Sequence, residues 1–361
     1  MKRRQFIKTA GLSVAGAGLA APAIAQANPE IRWRLPSSFP KSLDILYGAA
    51  ETIAKFTAEM TDNKFQIQCF GAGEIVPPLN VLDAVQDGTV EACHTAMYYF
   101  WGKDPTFAFG TAVPFGMNLR QMDAWFHDGG GNALIDEFLA DYKVVGMPAG
   151  NTGTQMGGWF RKEIKTVQDF SGLKFRVAGF AGAVLQKLGA VPQVIAAGDI
   201  YPALEKGTLD AVEFVGPYDD EKLGFNKVAP IYHYPGWWEG AAALHLLISK
   251  DKFEALPKHY QNVLRRAAQI ANKECQTKYD AANPAALKRL VAAGTQFKPF
   301  PQEVMEASWK AANEVTAEVA AKNAKFKKMN DAYQAFRNDQ YLWWQVAEYS
   351  FDNFMIRQRA R

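Results

Sequence analysis

From Ile31 onward the chain alternates two rhythms. Short runs with an apolar side chain at every second position, such as Ile31-Arg-Trp-Arg-Leu35 and Phe65-Gln-Ile-Gln-Cys69, have the period of β-strands. The longer runs between them, Leu43–Met60 and Pro78–Gln86, read as helices. Val90–Met97 and Tyr142–Pro148 add strands. The pattern restarts after Asn151-Thr-Gly-Thr154. Strands at Gln155–Phe160, Leu173–Ala178, Val191–Ala196 and Asp210–Val215 enclose helices at Ala181–Leu188 and Ile200–Lys206. Strand–helix–strand repetition rich in Val, Ile and Phe predicts an α/β sheet with crossover helices.

One more strand, Ala243–Lys250, follows the Pro/Gly/Trp stretch Tyr234–Gly240, which reads as a return crossing paired with 151–154. Beyond it the spacing is helical. Tyr260, Val263, Leu264, Ala267, Ile270 and Ala271 share a face, Pro284 is expected to open a new helix at Ala285–Ala293, and helices follow at Glu303–Ala321 and through the aromatic-rich Leu342–Ile356. The architecture expected is two α/β units with at least two crossings and added carboxyl-terminal helices. The first comprises 28–151 with about 240–280, the second 152–239 with part of the carboxyl-terminal helices, and about 325–361 forms a last helix. No internal repeat is visible.

Within Ser171-Gly-Leu-Lys-Phe-Arg-Val-Ala-Gly179, alternation puts Leu173, Phe175 and Val177 on one face. Arg176 falls on the other, with Lys174 and Ala178, where a charge normally meets solvent.

The amino terminus changes the charge balance. Met1-Lys-Arg-Arg-Gln-Phe-Ile-Lys8 is a basic start with paired arginines; an Ala/Gly-rich run and small-residue cleavage sites at Ala23-Ile-Ala25 and Ala25-Gln-Ala27 follow, and no acidic residue precedes Glu30. This predicts a signal peptide over 1–27 and export to the periplasm by the twin-arginine route. Lys2, Arg3, Arg4 and Lys8 leave with it, so the formal net charge of +3 becomes −1. A near-neutral chain has no electrostatic footprint for nucleic acid. Cys69, Cys93 and Cys275 match no metal spacing, and Cys69 and Cys93 lie in apolar strands, as free thiols do.

Catalytic chemistry finds little support. Cys93 and His94 adjoin on one strand and so point to opposite faces. No HExxH, GxSxG, Walker loop or paired CxxC occurs, Gly129–Gly131 reads as a turn between helices, and His233 as an aromatic between Tyr232 and Tyr234. Binding of a small anion is better supported. Asn151, Thr152, Thr154 and Gln155 offer hydrogen bonds at the first crossing, Arg176 lies on a nearby strand, and Trp237, Trp238 and Glu239 sit in the return crossing. Arginine suits a carboxylate because its planar fork donates two parallel hydrogen bonds. Glu213 and Glu239 would repel an anion unless a cation lay between them, and hard oxygen donors suit sodium or calcium.

These segments, from "WRLPSSFPKSLD", "GAGEIVPPL" and "CHTAMYYFWGKDP" through "NTGTQMGGWFRKEI", "GLKFRVAGFAG" and "GDIYPALEKGTLDAVEFVGPYDDEKLGF" to "HYPGWWEG", occur in order along the whole mature chain. Together they resemble the solute receptors of tripartite ATP-independent periplasmic (TRAP) transporters, the DctP-like family, and within it the subgroup that binds α-keto acids with a metal ion. The resemblance implies a two-lobed periplasmic binding protein fold, no enzymatic activity, and delivery of a small 2-oxo monocarboxylate such as pyruvate to membrane permease subunits. It implies that Arg176 pairs with the ligand carboxylate and that Gln155 reaches both ligand and ion. Glu213, the main-chain carbonyl of Phe214, and Glu239 complete the ion's ligands, with sodium expected and calcium the alternative. Phe39, Tyr98, Tyr99, Asn151 and Phe180 are implied as pocket lining. The subgroup usually has tryptophan where this chain has Phe214, which keeps the carbonyl but alters the wall. Dimerisation through a carboxyl-terminal helix is a further implication. A 2-hydroxy acid such as lactate, an exported enzyme acting on a small carboxylic acid, and a sensory receptor are the alternative readings.

Overall fold

The computed structural model describes residues 29–359; the signal peptide expected over 1–27 lies outside them. Strands β1 (Ile31–Pro36) and β2 (Phe65–Phe70) run parallel, joined by helix α1 (Leu46–Glu59). A bridge from Ser37 to His94 links β1 to β3 (Ala92–Thr95), which follows the short α2 (Val81–Gln86). Antiparallel to β3 lies the late strand β10 (Ala243–Ser249), which pairs on its other side with β4 (Val144–Asn151). Before β4 come α3 (Leu119–His127) and α4 (Gly131–Ala140). Asn118 caps α3 in a reciprocal box with Gln121, and Gly130, at φ +85°, supplies the left-handed residue that turns the chain into α4.

The second sheet has the order β11-β9-β5-β8-β6-β7. Its members are β5 (Gly158–Phe160), β6 (Lys174–Arg176), β7 (Val191–Gln193), β8 (Ala211–Val212), β9 (Ile231–Tyr234) and β11 (Gln296–Pro299). Helices α5 (Gly179–Lys187) and α6 (Ala197–Glu205) make the crossovers among the parallel strands β6, β7 and β8, and α7 (Pro217–Leu223) follows β8. The two sheets are joined by 151–157 and 235–243, and these segments bond to each other. Thr152 N–H donates to Ala242 (3.1 Å), Gln155 N–H to Glu239 (3.1 Å) and Gly236 N–H back to Gln155 (3.1 Å). Close approach here requires glycine: a Cβ on Gly236 would sit 2.6 Å from the Gln155 and Met156 carbonyl oxygens.

After α8 (Lys250–Glu254) the chain is helical apart from β11: α9 (Lys258–Ala292), α10 (Gln302–Lys322), α11 (Ala324–Val346) and α12 (Glu348–Gln358). Three expectations need correction. Strands β9 and β11 were not anticipated. The carboxyl-terminal segment is broken near Ala347 into two helices. And α9 passes straight through Pro284, which was expected to start a new helix. The missing N–H at Pro284 is tolerated because α9 is held on both sides by packing against β4, α1 and α7. Among the described residues no helix is long and apolar enough to cross a membrane.

Pro284 is exposed, so its replacement by alanine restores one backbone bond without disturbing the core. The gain is partly offset by the freer unfolded chain. Pro284→Ala is expected to stabilise the protein by about 1–2 kcal/mol in chemical denaturation; a loss of stability would show that the proline is required by the helix path.

Candidate functional site

Arg176 ends β6, held in register by Gln193 of β7 and Val212 of β8. Alternation predicted solvent on its side of the strand, yet its side chain is 1% exposed. The strand is buried on both faces beyond Lys174, so a period of two carries no information about solvent there. Its Nη1 donates to the Glu213 carbonyl oxygen at 2.6 Å and to the Glu213 carboxylate at 3.2 Å. Nε donates to the Ile195 carbonyl at 3.3 Å. The Phe214 ring lies 5.2 Å from the guanidinium carbon. Nearby, Gly179, at φ +62°, lies against the root of the Tyr98 side chain, where an added Cβ would come within 2.7 Å of Tyr98 Cβ.

The charges do not balance. Glu213 and Glu239 are both fully buried, against the one buried guanidinium. Burial pushes the Glu213 carboxyl up despite the opposing pull of Arg176, and the nearby charge of Asp220 pushes it further. Burial raises Glu239 strongly, Glu213 adds to it, and Arg176 and the Tyr98 hydroxyl oppose it. Oxygen Oε1 of Glu213, both carboxylate oxygens of Glu239 and Oε1 of Gln155 are buried without a hydrogen-bond partner of good geometry. Nδ2 of Asn151 is likewise buried and unpaired. Gln155 Nε2 is fixed on the Thr152 hydroxyl at 3.1 Å. Among the described residues no donor is directed at the Phe214 carbonyl, and no group of three or more His, Cys, Asp or Glu side chains converges as a metal site. The donor set is two carboxylates, an amide oxygen and a carbonyl. It fits a hard cation of the sodium or calcium kind, because unsatisfied buried oxygens are costly unless something electropositive meets them.

Beside this cluster lies a narrow cavity lined by Phe39, Leu46, Ala96, Tyr98, Tyr99, Thr152, Gln155, Phe214, Val215, Ala242 and Leu244. Residues from the first sheet's loops, the crossing and the β8 loop therefore meet at one cavity. Residues 37–323 match the DctP family, bacterial extracellular solute-binding protein, family 7. The chain belongs to that family.

It is a TRAP-type solute receptor. It is 47% identical over 360 residues to the monocarboxylate 2-oxoacid-binding periplasmic protein of Nostoc sp., covering 98% of this chain and 99% of that one. A TRAP transporter solute-binding protein from Bordetella bronchiseptica matches at 46% identity with a TM-score of 0.91, over 92% of this chain and 99% of that one. That protein is a mixed-occupancy dimer, its active site bound to copurified calcium and picolinate or apo. A third relative, from Pseudoalteromonas atlantica, carries bound sodium and pyruvate; it is 38% identical, with a TM-score of 0.88, over 90% of this chain and 99% of that one. Family members are extracytoplasmic transport receptors, not enzymes.

Of the residues singled out in the sequence, Phe39, Tyr98, Tyr99, Gln155 and Phe214 line the receptor's cavity. Arg176 and Glu213 are turned onto each other rather than into it, and Glu239 is buried with both carboxylate oxygens unpaired. Asn151 ends β4 with its Oδ1 accepting from Gly153 N–H at 3.0 Å. Phe180 is not brought to the cavity: its ring stacks on Trp101 at 4.8 Å, inside the core. Leu46, Val215 and Leu244 went unnoticed because single aliphatic residues on a helix, a loop and a strand give no signal beyond ordinary core. All three cysteines are free thiols.

With both carboxyls raised, the cation-free fold is most stable while they are protonated. That stability is complete below the ordinary carboxylate range and is lost as pH climbs through the raised values. Glu239→Gln should therefore differ little from the parent near pH 5 and become the more stable of the two as pH rises through the raised Glu239 value. Thermal melts across that range in chelator check it, and equal pH slopes for both proteins would count against the buried-charge account.

Proposed function

We propose that this receptor takes a small 2-oxo monocarboxylate of the pyruvate type together with a cation, sodium expected and calcium the alternative, and that it is exported by the twin-arginine route. One observation carries the reading: a fully buried arginine is paired with one buried carboxylate, Glu213, while both oxygens of a second, Glu239, are buried without a partner. A third carboxylate could not enter such a cluster unless the negative charge were offset. A bound ion would supply that offset and give the ligand's carboxylate and 2-oxo oxygens a common partner.

The chain's own groups do the rest. Arg176 offers its guanidinium to the ligand carboxylate, with Phe214 against one face. Gln155 and Asn151 bring an unpaired amide oxygen and an unpaired amide nitrogen from the crossing. Phe39, Tyr98 and Tyr99 enclose the acyl end and exclude water. The part 28–151 with about 240–280 serves as one lobe and 152–239 with part of the later helices as the other. They close by rotation about the paired crossings. The same donor set would accept a 2-hydroxy acid, so lactate is the comparison ligand.

A thermal-shift screen of mono- and dicarboxylates, with and without sodium or calcium after chelation, is expected to single out 2-oxo monocarboxylates that raise the melting point only with a cation. Stabilisation by pyruvate that ignores both ions would overturn the ion's role. Arg176→Lys keeps the charge but loses the fork, and calorimetry should register a loss of about 2 kcal/mol or more in pyruvate binding. Recovery of the 2-oxo acid unchanged after prolonged incubation separates a receptor from an enzyme.

Helix α12 has no buried residue, and Leu342, Trp343, Val346, Tyr349, Phe351 and Ile356 are between 59% and 71% exposed. Apolar surface this continuous marks an interface, and a second copy of the chain is its proposed occupant, as a dimer is described for the Bordetella relative. Light scattering is expected to give a dimer that Leu342→Asp with Trp343→Asp converts to a monomer.

A further inference from the structure

A buried carboxylate outside the proposed ligand set has three donors converging on it. Asp220, in α7, is 1% exposed. Its Oδ2 accepts from Trp159 Nε1 at 2.9 Å and from the Tyr232 hydroxyl at 2.6 Å. Its Oδ1 accepts from the backbone N–H of Val215 at 3.2 Å. Trp159 and Tyr232 face each other across the β5–β9 pair, and their rings stack at 3.9 Å with an interplanar angle of 14°. Sheet register and stacking together fix two side-chain donors that aim at the same carboxylate.

The third bond has a geometric consequence. Val215 N–H and the Phe214 carbonyl belong to one peptide unit, which is planar and trans, so the two groups point in opposite directions. Holding the N–H on Asp220 therefore directs the Phe214 carbonyl away from α7. Val215's own carbonyl is held separately by Met156 N–H at 3.1 Å, so the loop is pinned on both sides of this peptide.

We propose that Asp220 is a positioning residue for the cation site: through Val215 N–H it sets the direction of the Phe214 carbonyl, with Trp159 and Tyr232 fixing Asp220 in turn. This rests on the reading that a cation binds at Glu213, Phe214 and Glu239. Asparagine cannot substitute. It presents one oxygen and an NH₂ to three donors, and the indole N–H of Trp159 can only donate. The substituted side chain must leave either the indole or Val215 unpaired, and the peptide is then free to turn.

The experiment titrates sodium, and separately calcium, into exhaustively chelated parent, Asp220→Asn and Tyr232→Phe proteins. It follows the cation-induced rise in melting temperature without organic ligand, then pyruvate affinity by calorimetry at limiting and saturating cation. The cation midpoint of Asp220→Asn is expected to move up by about tenfold or more. Tyr232→Phe should shift it less in the same direction, and pyruvate affinity should return toward the parent value at saturating cation. Cation dependence in the parent with unchanged midpoints in both variants overturns the inference alone. So does a pyruvate deficit that excess cation does not repair, which would mark a merely structural role. A parent indifferent to both cations overturns the underlying reading and this inference with it. If Asp220→Asn does not fold, Tyr232→Phe decides, because it keeps the carboxylate and the ring stack.

Discussion

The structure depends on one imbalance: a single buried guanidinium set against two buried carboxylates. Such a cluster is a poor way to stabilise a fold, since desolvation of the ions offsets most of their attraction and apolar residues of similar size would do as well or better. Its cost is visible in the raised carboxyls of Glu213 and Glu239 and in their unpaired oxygens. A site that is destabilising in itself is one whose stability returns when the right partner arrives, which is how a receptor gains ligand-dependent stability. Much of the surrounding geometry serves to hold the cluster in place: Gly179 against Tyr98, Asp220 behind Val215, and the glycines that let 235–243 run against 151–157.

The return segment that carries Glu239 is buttressed from outside. Phe115, at φ +55°, stacks on Trp237 at 5.2 Å and donates its N–H to the Trp237 carbonyl at 2.6 Å. Its own carbonyl accepts from Arg337 Nη1 of α11 at 3.0 Å, and Trp309 of α10 packs edge-on against its ring. A bulky residue with positive φ is uncommon and persists only where neighbours over-determine it. Here the neighbours come from the two long carboxyl-terminal helices, so those helices brace the loop that bears a proposed ion ligand.

How much of this the sequence discloses depends on what each residue type must do locally. Strands β1 to β8 and β10 were visible because alternation or continuous apolar runs mark them. Ile231–Tyr234 was not, because it leads directly into Pro235-Gly236 and reads as loop; β11 is four residues at a sheet edge, anchored only by β9. Pro284 misled because its cost is local while the packing that overrides it is tertiary. Alternation alone could not place Arg176, whose short strand is covered on both faces. Ordered motifs resembling a receptor family placed it at a binding cleft, where the structure brings it together with Glu213 and Phe214. The same resemblance put Phe180 on the pocket wall, whereas it packs on Trp101. Asp220 left no trace: one of two adjacent aspartates at a helix start reads as a favourable charge at the dipole's positive end. Only the sheet register that sets Trp159 beside Tyr232 reveals its task.

The division of labour between the sheets bears on specificity. Arg176 ends β6, and Glu213 and Phe214 follow β8 directly, so the charged chemistry sits at the carboxyl ends of two parallel neighbours, the usual position for ligands in open α/β sheets. Phe39, Ala96, Tyr98 and Tyr99 come from the loops after β1 and β3 in the other sheet. On the proposed reading, one sheet recognises the carboxylate and the ion while the other measures the acyl chain. Phe214 is the exception, since its backbone carbonyl belongs to the first task and its ring to the second. A substitution there that preserves the backbone can reshape the pocket without touching the charges.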